Sequence, residues 1–411
     1  MKILILIQIF ETHDDTGSDR HYYFAKKMIE EGHEVEVITA NIDYKNAKKR
    51  FKKKSGTITK IVDGITIKYV PVYSNFRGSF FKRMIFFISY FFSSIYAAIS
   101  SSKIKIIYSV STPLTVGLLG LIISKLKKVP MVFEVTDVWP DAAIQTGVIK
   151  SRLIIKISKF IENICYKGSS KIICLSKGIQ SNIVNKGVER NETILVPNGV
   201  DLKLFDETHK INNLENLTRR EYNFGDDFIA MYLGAHGAYN SLFTIIEAAK
   251  DIKKFEKIKI VFVGDGDEKK KLQEYAQKND LNNIIFIGTV KRRESIKLLK
   301  TADIFMLPNR KGSFFECNLP NKLFDYLVSA KPILVSGAGE TSELILETGS
   351  GYVVDAEDAN AFSSSILKLF NLSKDERNDM GNKGKEFVSS KFNREDQALL
   401  LTNLFYDLLN K

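Results

Sequence analysis

An α/β fold of two Rossmann-like halves, each built on a parallel sheet, is predicted for this sequence of 411 residues. Short apolar runs alternate with helical patterns almost from end to end. The runs are apolar at successive positions, as in strands that are covered on both faces of a parallel sheet. The length exceeds that of one ordinary domain. Because ligands of such folds bind at the carboxyl ends of strands, we expect a site in a central cleft between the halves.

The elements are predicted from these runs and from the helical spacing of the segments between them. The predicted strands are 2–9, 34–39, 104–109, 131–135, 171–175, 193–196, 228–233, 258–263, 284–287, 304–307, 332–335 and 351–354. The predicted helices include 19–31, 153–166, 242–253, 268–277, 294–300, 323–329 and 394–409.

The boundary between the halves is predicted within 196–205, where a strand ends in a Pro-Asn-Gly turn. This gives a first domain of residues 1–197 and a second domain of residues 198–392. Residues 393–411 carry apolar positions at helical spacing, and by fold analogy we expect this terminal helix to pack back on the first domain.

Composition excludes several classes of protein. With 44% hydrophobic and 26% charged residues, the chain can fill large cores and is not disordered. Its three cysteines, Cys165, Cys174 and Cys317, have no metal-ligand spacing, which predicts reduced thiols and no metal site. The opening run MKILILIQIF is short and lacks a cleavage site, so we interpret it as a buried strand rather than a signal peptide.

The net charge of +12 is concentrated in the first half of the chain. Residues 1–200 hold 30 lysines and arginines against 16 acidic residues, and the remainder holds 30 against 32. A basic half is expected to meet an anionic partner, which leaves nucleic acid, phospholipid or a phosphorylated substrate open.

Residues 77–105 join bulky aromatic side chains to flanking arginines and lysines. The apolar core of this segment is at the lower limit for a membrane span and contains several serines, so we predict an interfacial helix on an anionic membrane surface. A plain core helix is the main alternative, and a span is the lesser one. The basic run at 45–54 favours the surface interpretation. Nucleic acid is disfavoured because no recognition motif is present.

The segment LPNKLFD, at 319–325, is the strongest candidate for an anion site. Pro320 suits the first turn of a helix, and the free amides of that turn attract anions. Lys322 adds a point charge for a phosphate. Asp325 lies on the same helix face and is suited to bind two ribose hydroxyls. The alternative is an amphipathic helix on which the lysine and the aspartate form a solvated pair.

Four further loops carry candidate side chains. Thr16-Gly17-Ser18 opens a helix and suits a pyrophosphate, because glycine allows a close backbone approach. In the segment TDVWPD, Asp137 is suited to orient a substrate hydroxyl or act as a base, and Trp139 offers a ring face for stacking; alternatively, Asp137 caps a helix or turn and Trp139 belongs to the core. The Gly264-Asp265-Gly266 turn and His236 also follow strands, although such turns are common and a lone histidine is more often a packing residue.

These segments, in this order, resemble family 4 retaining glycosyltransferases of the GT-B fold. The features that carry the resemblance are TGSDRHYYFAKKMIEEGHEVEVIT, FEVTDVWPDAA, ILVPNGVDLKLF, MYLGAHGAYNSLFTIIEAA, VFVGDGDEKKKL, FIGTVKRRESIKLLKTADIFMLP and LPNKLFDYLVSAKPILVSGAGETSELI. More narrowly, the chain resembles the bacterial branch that builds O-antigen, lipopolysaccharide and capsule repeats, including N-acetylfucosamine transferases.

The resemblance implies a donor site, an acceptor site and a reaction. The donor residues would be Gly17, Ser18, His236, Gly264, Asp265, Gly266, Val290, Lys291, Asn318, Leu319, Pro320, Asn321 and Asp325. Asp137 and Lys322 would be catalytic, and Thr136 and Trp139 would bind the acceptor. The backbone near Val290 and Lys291 would recognise the base. This chain departs from the relatives at three places. Where they carry the first of two donor-helix glutamates, it has Cys317, and the segment around His236 lacks the arginine and lysine that many of them carry there. Where many relatives have a histidine, it has Thr136.

The function expected from the resemblance is transfer, with retention, of an N-acetylated amino sugar or a deoxy sugar from a UDP-linked donor. The acceptor would be a polyprenyl-diphosphate-linked saccharide at the cytoplasmic face of the bacterial cell membrane, where the protein would be peripherally bound. No metal and no cofactor besides the substrate nucleotide sugar is expected. A nucleotide-sugar epimerase or phosphorylase of similar fold and a non-catalytic nucleotide-binding membrane scaffold remain the alternatives.

Overall fold

The protein is described by a computed structural model, which covers residues 1–12, 15, 17–43, 48–52, 56–76, 79–145, 147–312 and 316–410. The chain forms two compact units. The first unit contains Met1–Thr12, Ser18–Pro197 and Glu395–Lys411, and the second contains Asn198–Arg394 together with the short segment around Gly17. The predicted positions Thr16 and Arg77, and parts of the basic run at 45–54, lie outside the described residues.

The first unit is built on an eight-stranded sheet of order β3-β4-β2-β1-β5-β6-β7-β8. Its strands are β1 (Lys2–Leu6), β2 (Glu34–Ala40), β3 (Ile58–Val62), β4 (Ile65–Val70), β5 (Ile106–Val110), β6 (Met131–Val135), β7 (Lys171–Cys174) and β8 (Thr193–Leu195). Its helices are α1 (Arg20–Glu30), α2 (Phe80–Ile99), α3 (Leu114–Lys127), α4 (Asp141–Gln145), α5 (Arg152–Gly168) and α6 (Lys177–Asn185).

The second unit is built on a six-stranded parallel sheet of order β11-β10-β9-β12-β13-β14. Its strands are β9 (Phe228–Leu233), β10 (Ile258–Val263), β11 (Ile284–Ile287), β12 (Ile304–Pro308), β13 (Ile333–Ser336) and β14 (Gly351–Val354). Its helices are α7 (Leu202–His209), α8 (Leu214–Glu221), α9 (Leu242–Ile252), α10 (Lys269–Lys278), α11 (Arg292–Thr301), α12 (Asn321–Val328), α13 (Glu340–Thr348), α14 (Ala359–Asn371) and α15 (Lys374–Lys391). The last helix, α16 (Arg394–Leu409), packs almost entirely in the first unit.

The β3–β4 hairpin departs from the prediction of parallel sheets. The two strands pair antiparallel, and β4 then pairs with β2 in the parallel direction. The turn is Asp63-Gly64, with both residues at positive φ, which matches the twist of a tight hairpin. β3 is largely exposed on the edge of the sheet, so it lacks the continuous apolar run by which the other strands were recognised.

Both sheets place apolar side chains on their two faces, as the sequence predicts for strands that are covered by helices. In the second unit one face packs against α11 and α12, and the other packs against α9 and α14. The loops that follow the strands therefore emerge from a rigid frame at the carboxyl edge of each sheet. Among the described residues, no helix combines the length and the apolar content needed to cross a bilayer.

Candidate functional site

The predicted donor residues of the second unit lie in loops at the carboxyl edge of its sheet. Residues 234–240 follow β9, Gly264-Asp265-Gly266 follows β10, and Val290 and Lys291 lie between β11 and α11. The start of α12, after β12, carries Lys322 and Asp325. Since neighbouring parallel strands end at the same edge, these segments converge there.

Lys322 forms a polar cluster with the loop after β9. Its ammonium group donates to the Tyr232 hydroxyl at 2.6 Å and to Asn240 Oδ1 at 3.0 Å, and it lies 4.3 Å from the centre of the Tyr232 ring. Tyr232 and Asn240 in turn both donate to the carbonyl oxygen of Ala235. Removal from water lowers the pKa of Lys322 to about 7. An ammonium has three donors, and within the described residues only two of them have acceptors.

His236 lies beneath this cluster, between two loops. Its backbone N–H donates to the Asp265 carbonyl, and its carbonyl accepts from the Glu268 N–H. A Cβ on Gly266 would lie 2.4 Å from the His236 carbonyl oxygen, and one on Gly264 would lie 2.0 Å from that of Gly234. The two glycines therefore allow the loops after β9 and β10 to pack in direct contact.

The imidazole of His236 has no exposed surface, and neither ring nitrogen has a hydrogen-bond partner among the described residues. It packs against the rings of Tyr232 and Phe262. Burial, and then the positive charge of Lys269, lowers the pKa of His236 to about 4. The sequence predicts that His236 contacts the donor, but its ring has no exposed surface. The side chain therefore supports the two loops from inside the protein, and direct contact with a donor does not fit its burial.

Asp325 is held by an arginine that was not predicted. Its two carboxylate oxygens accept from Arg292 Nη1 at 2.6 Å and from Nη2 at 2.7 Å. The side chain of Asp325 is largely buried, and the guanidinium also lies over the ring of Phe205. Lys322 and Asp325 thus have different partners, so they do not form the solvated pair that was the alternative interpretation. Whether Asp325 binds ribose stays a prediction.

The turn before α12 is fixed by backbone contacts. Pro320 is the N-cap, one residue before the first helical turn in which it was predicted. The Leu319 carbonyl accepts from Asn198 Nδ2, and the Asn318 carbonyl accepts from the Thr341 hydroxyl. Asn321 is the first helical residue. This arrangement directs the first amides of α12 toward the carboxyl edge of the sheet.

Cys317 is half-buried just upstream of that turn. Burial, and then the charges of Glu340 and Glu316, raises the pKa of its thiol, so the group is neutral at pH 7. Across from it, a Cβ on Gly339 would lie 2.1 Å from the Glu316 carbonyl oxygen. Carboxylates are therefore close to the position where relatives are expected to carry a glutamate.

The predicted acceptor loop of the first unit is joined to the loop after β5. The Thr136 hydroxyl donates to the Ser111 carbonyl at 2.6 Å, and the Thr112 hydroxyl donates to Asp137 at 3.4 Å. Burial raises the pKa of the Asp137 carboxyl. Trp139 is half-buried rather than enclosed in the core, and Asp137 lies four residues before α4, so it does not cap that helix.

Beneath this loop, Glu134 forms a buried charged network. Its carboxylate accepts from His21 Nε2 at 2.8 Å, from the Tyr108 hydroxyl and from Arg20 at 3.4 Å. Arg20 also donates to the carbonyls of Val196 and Pro197. Burial alone would raise the pKa of Glu134, but the charges of Arg20 and His21 hold it at about 2. The network is structural, because it fixes the start of α1 to the sheet.

The remaining predicted residues lie at the surface of the loops. Gly17 and Ser18 are exposed immediately before α1. Asp265 and Lys291 are exposed, and Val290 is partly buried against the core. The structure thus brings together the predicted donor residues of the second unit and, separately, the predicted acceptor residues of the first. Among the described residues, no group of three or more His, Cys, Asp or Glu side chains is suited to hold a metal ion.

Comparison with protein families gives two successive matches. Residues 20–204 match the model described as Glycosyltransferase Family 4, and residues 215–387 match the model described as Glycosyl transferases group 1. The first match lies almost wholly within the first unit, and the second lies within the second unit.

Curated relatives and solved structures agree with these matches. An uncharacterised glycosyltransferase of Methanocaldococcus jannaschii is 24% identical over 71% of this chain and 72% of its own length. A protein of Escherichia coli named for glycosyl transfer in colanic acid biosynthesis is 24% identical over 84% of this chain and 86% of its own. The crystal structure of Anabaena HepE in complex with UDP and glucose superposes with a TM-score of 0.74 at 15% identity over 99% of each chain.

The two-domain architecture and these matches define a glycosyltransferase of the GT-B fold, as the sequence predicts. Within that class, the first unit is similar to the Family 4 enzymes and the second unit to the group 1 enzymes.

Several residues of the site were missed by sequence reasoning. Arg292 stands in the basic run KRR, but only the fold shows that it meets Asp325. Tyr232 is the last-but-one residue of a buried strand, and nothing local distinguishes it from a core side chain. Ser111 and Thr112 directly follow β5, and polar residues after a strand were a usable signal.

The buried His236 predicts acid-sensitive stability. Its imidazole has a lower pKa in the folded protein than in the unfolded chain, so between pH 6.5 and 4 only the unfolded chain takes up the proton. Stability that is present above pH 6.5 is therefore lost as the pH falls toward 4, by up to about 3 kcal/mol. We expect His236→Phe to lose less free energy of unfolding over this range, measured by urea denaturation.

Tyr239→Phe in the same loop is the matched control, because it leaves the imidazole in place. If the free energy of unfolding falls equally with pH in His236→Phe and in the unaltered protein, this histidine is not buried as a neutral ring.

Proposed function

We propose that the second unit binds a nucleoside-diphosphate sugar at the carboxyl edge of its sheet. The observation that carries the proposal is the ammonium group of Lys322, which has two protein acceptors and a third donor for a ligand. The first amides of α12 and the loop amides after β10 and β13 add further donors for a diphosphate. Because the usual basic pair is absent, Lys322 is the main positive charge proposed for the departing diphosphate.

The identity of the donor is proposed from similar proteins. HepE, which shares the fold, was crystallised with UDP and glucose, and this favours a UDP-linked donor. The relative named for colanic acid biosynthesis favours a role in making a surface polysaccharide. The resemblance to O-antigen and N-acetylfucosamine enzymes favours an N-acetylated amino sugar or a deoxy sugar, transferred with retention.

For the acceptor, we propose the loop that carries Thr136, Asp137 and Trp139. A carboxyl group with a raised pKa is suited to accept a proton from, or orient, a sugar hydroxyl. The half-buried indole of Trp139 offers a face for a sugar ring. Gly17 and Ser18, exposed before α1, are proposed to contact the diphosphate through their backbone.

The test of this function is release of the nucleoside diphosphate from a panel of nucleotide sugars, with and without a polyprenyl-diphosphate-linked saccharide. We expect release to depend on the acceptor, and Asp137→Asn to reduce the rate at least about 100-fold, as is usual for loss of an acid or base group. Isomerised sugar without transfer would instead identify an epimerase. Nucleotide binding without either reaction would identify a scaffold.

The ion pair of Arg292 with Asp325 predicts a coupled effect on donor affinity. Asp325→Ala removes the carboxylate and leaves a largely buried guanidinium without its partner, so we expect donor affinity to fall at least about tenfold. Arg292→Met keeps the Asp325 carboxylate and removes the guanidinium group that binds it. If Asp325 binds ribose directly, calorimetry with UDP should show a smaller loss for Arg292→Met than for Asp325→Ala.

Lys297→Met on the exposed side of α11 is the control for loss of a basic residue, and it should leave affinity unchanged. Unaltered UDP affinity in Asp325→Ala would remove this residue from the donor site.

Membrane attachment is proposed through helices of the first unit. Large side chains exposed along one face of α2 include Phe81, Phe92 and Tyr96, with exposed fractions of 72%, 66% and 78%. α3 packs against both α2 and α5, and α5 exposes Leu153 and Phe160 beside its lysines. An apolar face with basic neighbours suits the boundary of an anionic bilayer, where a polyprenyl-linked acceptor is found. α5 lies outside the segment 77–105 that the sequence predicted.

The exposed face of α2 predicts vesicle binding that is lost when its aromatic residues are replaced. We expect the triple variant Phe81→Ser, Phe92→Ser, Tyr96→Ser to bind anionic vesicles at least about tenfold more weakly, since burial of large apolar groups drives such binding. Ile61→Ser on β3 removes another exposed apolar side chain and serves as the control. Equal sedimentation of the triple variant and this control with vesicles would contradict the surface assignment.

A further inference from the structure

A second charged cavity lies at the opposite edge of the second sheet, where its strands begin. It encloses about 990 Å³ and is lined by Phe228, the first residue of β9, by Lys257 and Asp303, which precede β10 and β12, and by Lys331, two residues before β13. α8, α14 and α15 complete its walls. A six-residue strand separates the two edges by about 17 Å, so the cavity is distinct from the proposed donor site.

Most of the acidic side chains in this cavity are already paired. Asp303 accepts hydrogen bonds from the Arg219 guanidinium, at 2.9 Å, and from the Ile229 N–H. Glu215 lies 3.6 Å from Arg219, and Asp227 lies 3.8 Å from Lys257. Arg219 is further engaged by three backbone carbonyls. These groups form the structural wall of the cavity and offer little net charge to a ligand.

Three basic side chains of the lining have no such partner. Among the described residues, none lies within hydrogen-bond or ion-pair distance of the side chains of Arg220, Lys331 and Lys374, whereas Asp226 is the one lining acid without a partner. The cavity therefore carries an excess of positive charge that the protein does not neutralise.

The backbone of Lys331 is fixed in the cavity wall by close packing against α15. A Cβ on Gly381 of α15 would lie 2.2 Å from the Ala330 carbonyl oxygen and 2.6 Å from the Lys331 backbone nitrogen, so the turn packs directly on the helix. Ala330 adopts positive φ there. Burial lowers the pKa of Lys331, although the charges of Glu215 and Asp303 act to raise it, so these two carboxylates do not fully compensate for the loss of water. A lysine placed in this way gains stabilisation from a bound anion.

We propose that this cavity binds a small organic phosphate, with Lys331, Lys374 and Arg220 as the groups that meet the phosphate. The volume is at the upper end of the range for small-molecule sites and accommodates a sugar phosphate. Phe228 and Phe370 in the lining supply apolar surface for the organic part. The site requires no residue of the proposed donor or acceptor loops, so it holds whether or not those assignments do.

The test uses the full chain and glucose 6-phosphate as the probe, with binding measured by calorimetry. We expect the double variant Lys331→Gln, Lys374→Gln to weaken binding at least tenfold and to leave UDP affinity unchanged. Lys270→Gln, whose side chain is 87% exposed on α10, is the matched control and should bind the probe normally. Lys322→Gln should also retain the probe, because it lies at the opposite edge. Lys331→Arg keeps the charge and should retain most of the affinity, which separates loss of charge from loss of fold.

Three results would overturn the proposal. The first is equal probe affinity in the double variant and the Lys270→Gln control. The second is loss of all probe binding in Lys322→Gln, which would place the phosphate at the donor loops. The third is binding of polyglutamate, abolished in the double variant, without binding of the sugar phosphate, which would identify a surface for an acidic protein segment.

Discussion

The placement of one ammonium group, that of Lys322, governs the architecture of the site in the second unit. An ammonium that loses water is destabilised unless hydrogen bonds replace its hydration, and here Tyr232 and Asn240 do so only in part. Both partners are held by the Ala235 carbonyl, which requires the loop after β9 to fold back on itself. That loop in turn requires glycines after β10 and a buried His236 beneath it. The amine is thus positioned in advance, and an arriving diphosphate would meet it with little reorganisation.

The same physical logic separates charges that serve structure from charges that are available to ligands. Glu134 with Arg20, and Asp303 with Arg219, are surrounded by several hydrogen-bond partners, and breaking either set would leave a buried charge without compensation. Lys322 and Lys331 differ because their burial lowers the pKa and their hydrogen bonds do not compensate for it. Lysine suits this condition, since its charge responds to the arrival of an anion, whereas an arginine stays charged at every relevant pH.

The sequence predicted the frame of this protein well because parallel strands are recognisable locally. β6, β9, β10, β11 and β14 have the predicted bounds, since each is a mainly apolar run and all but β6 are followed by a glycine or a charged residue. β3 and β4 were missed because their alternation is that of an edge hairpin, although Asp63-Gly64 was a usable turn signal. The position of Lys322 was predictable from the helix start. Its partners and the pairing of Asp325 with Arg292 were not, because they join segments that are 33 to 90 residues apart.

The departures from the family pattern are connected through these contacts. A chain that lacks the usual basic pair after β9 has His236 and Asn240 in that loop, and the positive charge comes instead from α12 through Lys322. Where relatives have a glutamate, this chain has Cys317, and burial, followed by the charges of Glu340 and Glu316, raises the pKa of its thiol. Asp325 is one methylene shorter than the second glutamate of relatives, and both oxygens of its carboxylate accept hydrogen bonds from Arg292. Lys322 lies on another element than the missing basic pair, whereas Asp325 keeps its carboxylate on α12, so the site is described by where its charges lie rather than by which position carries them.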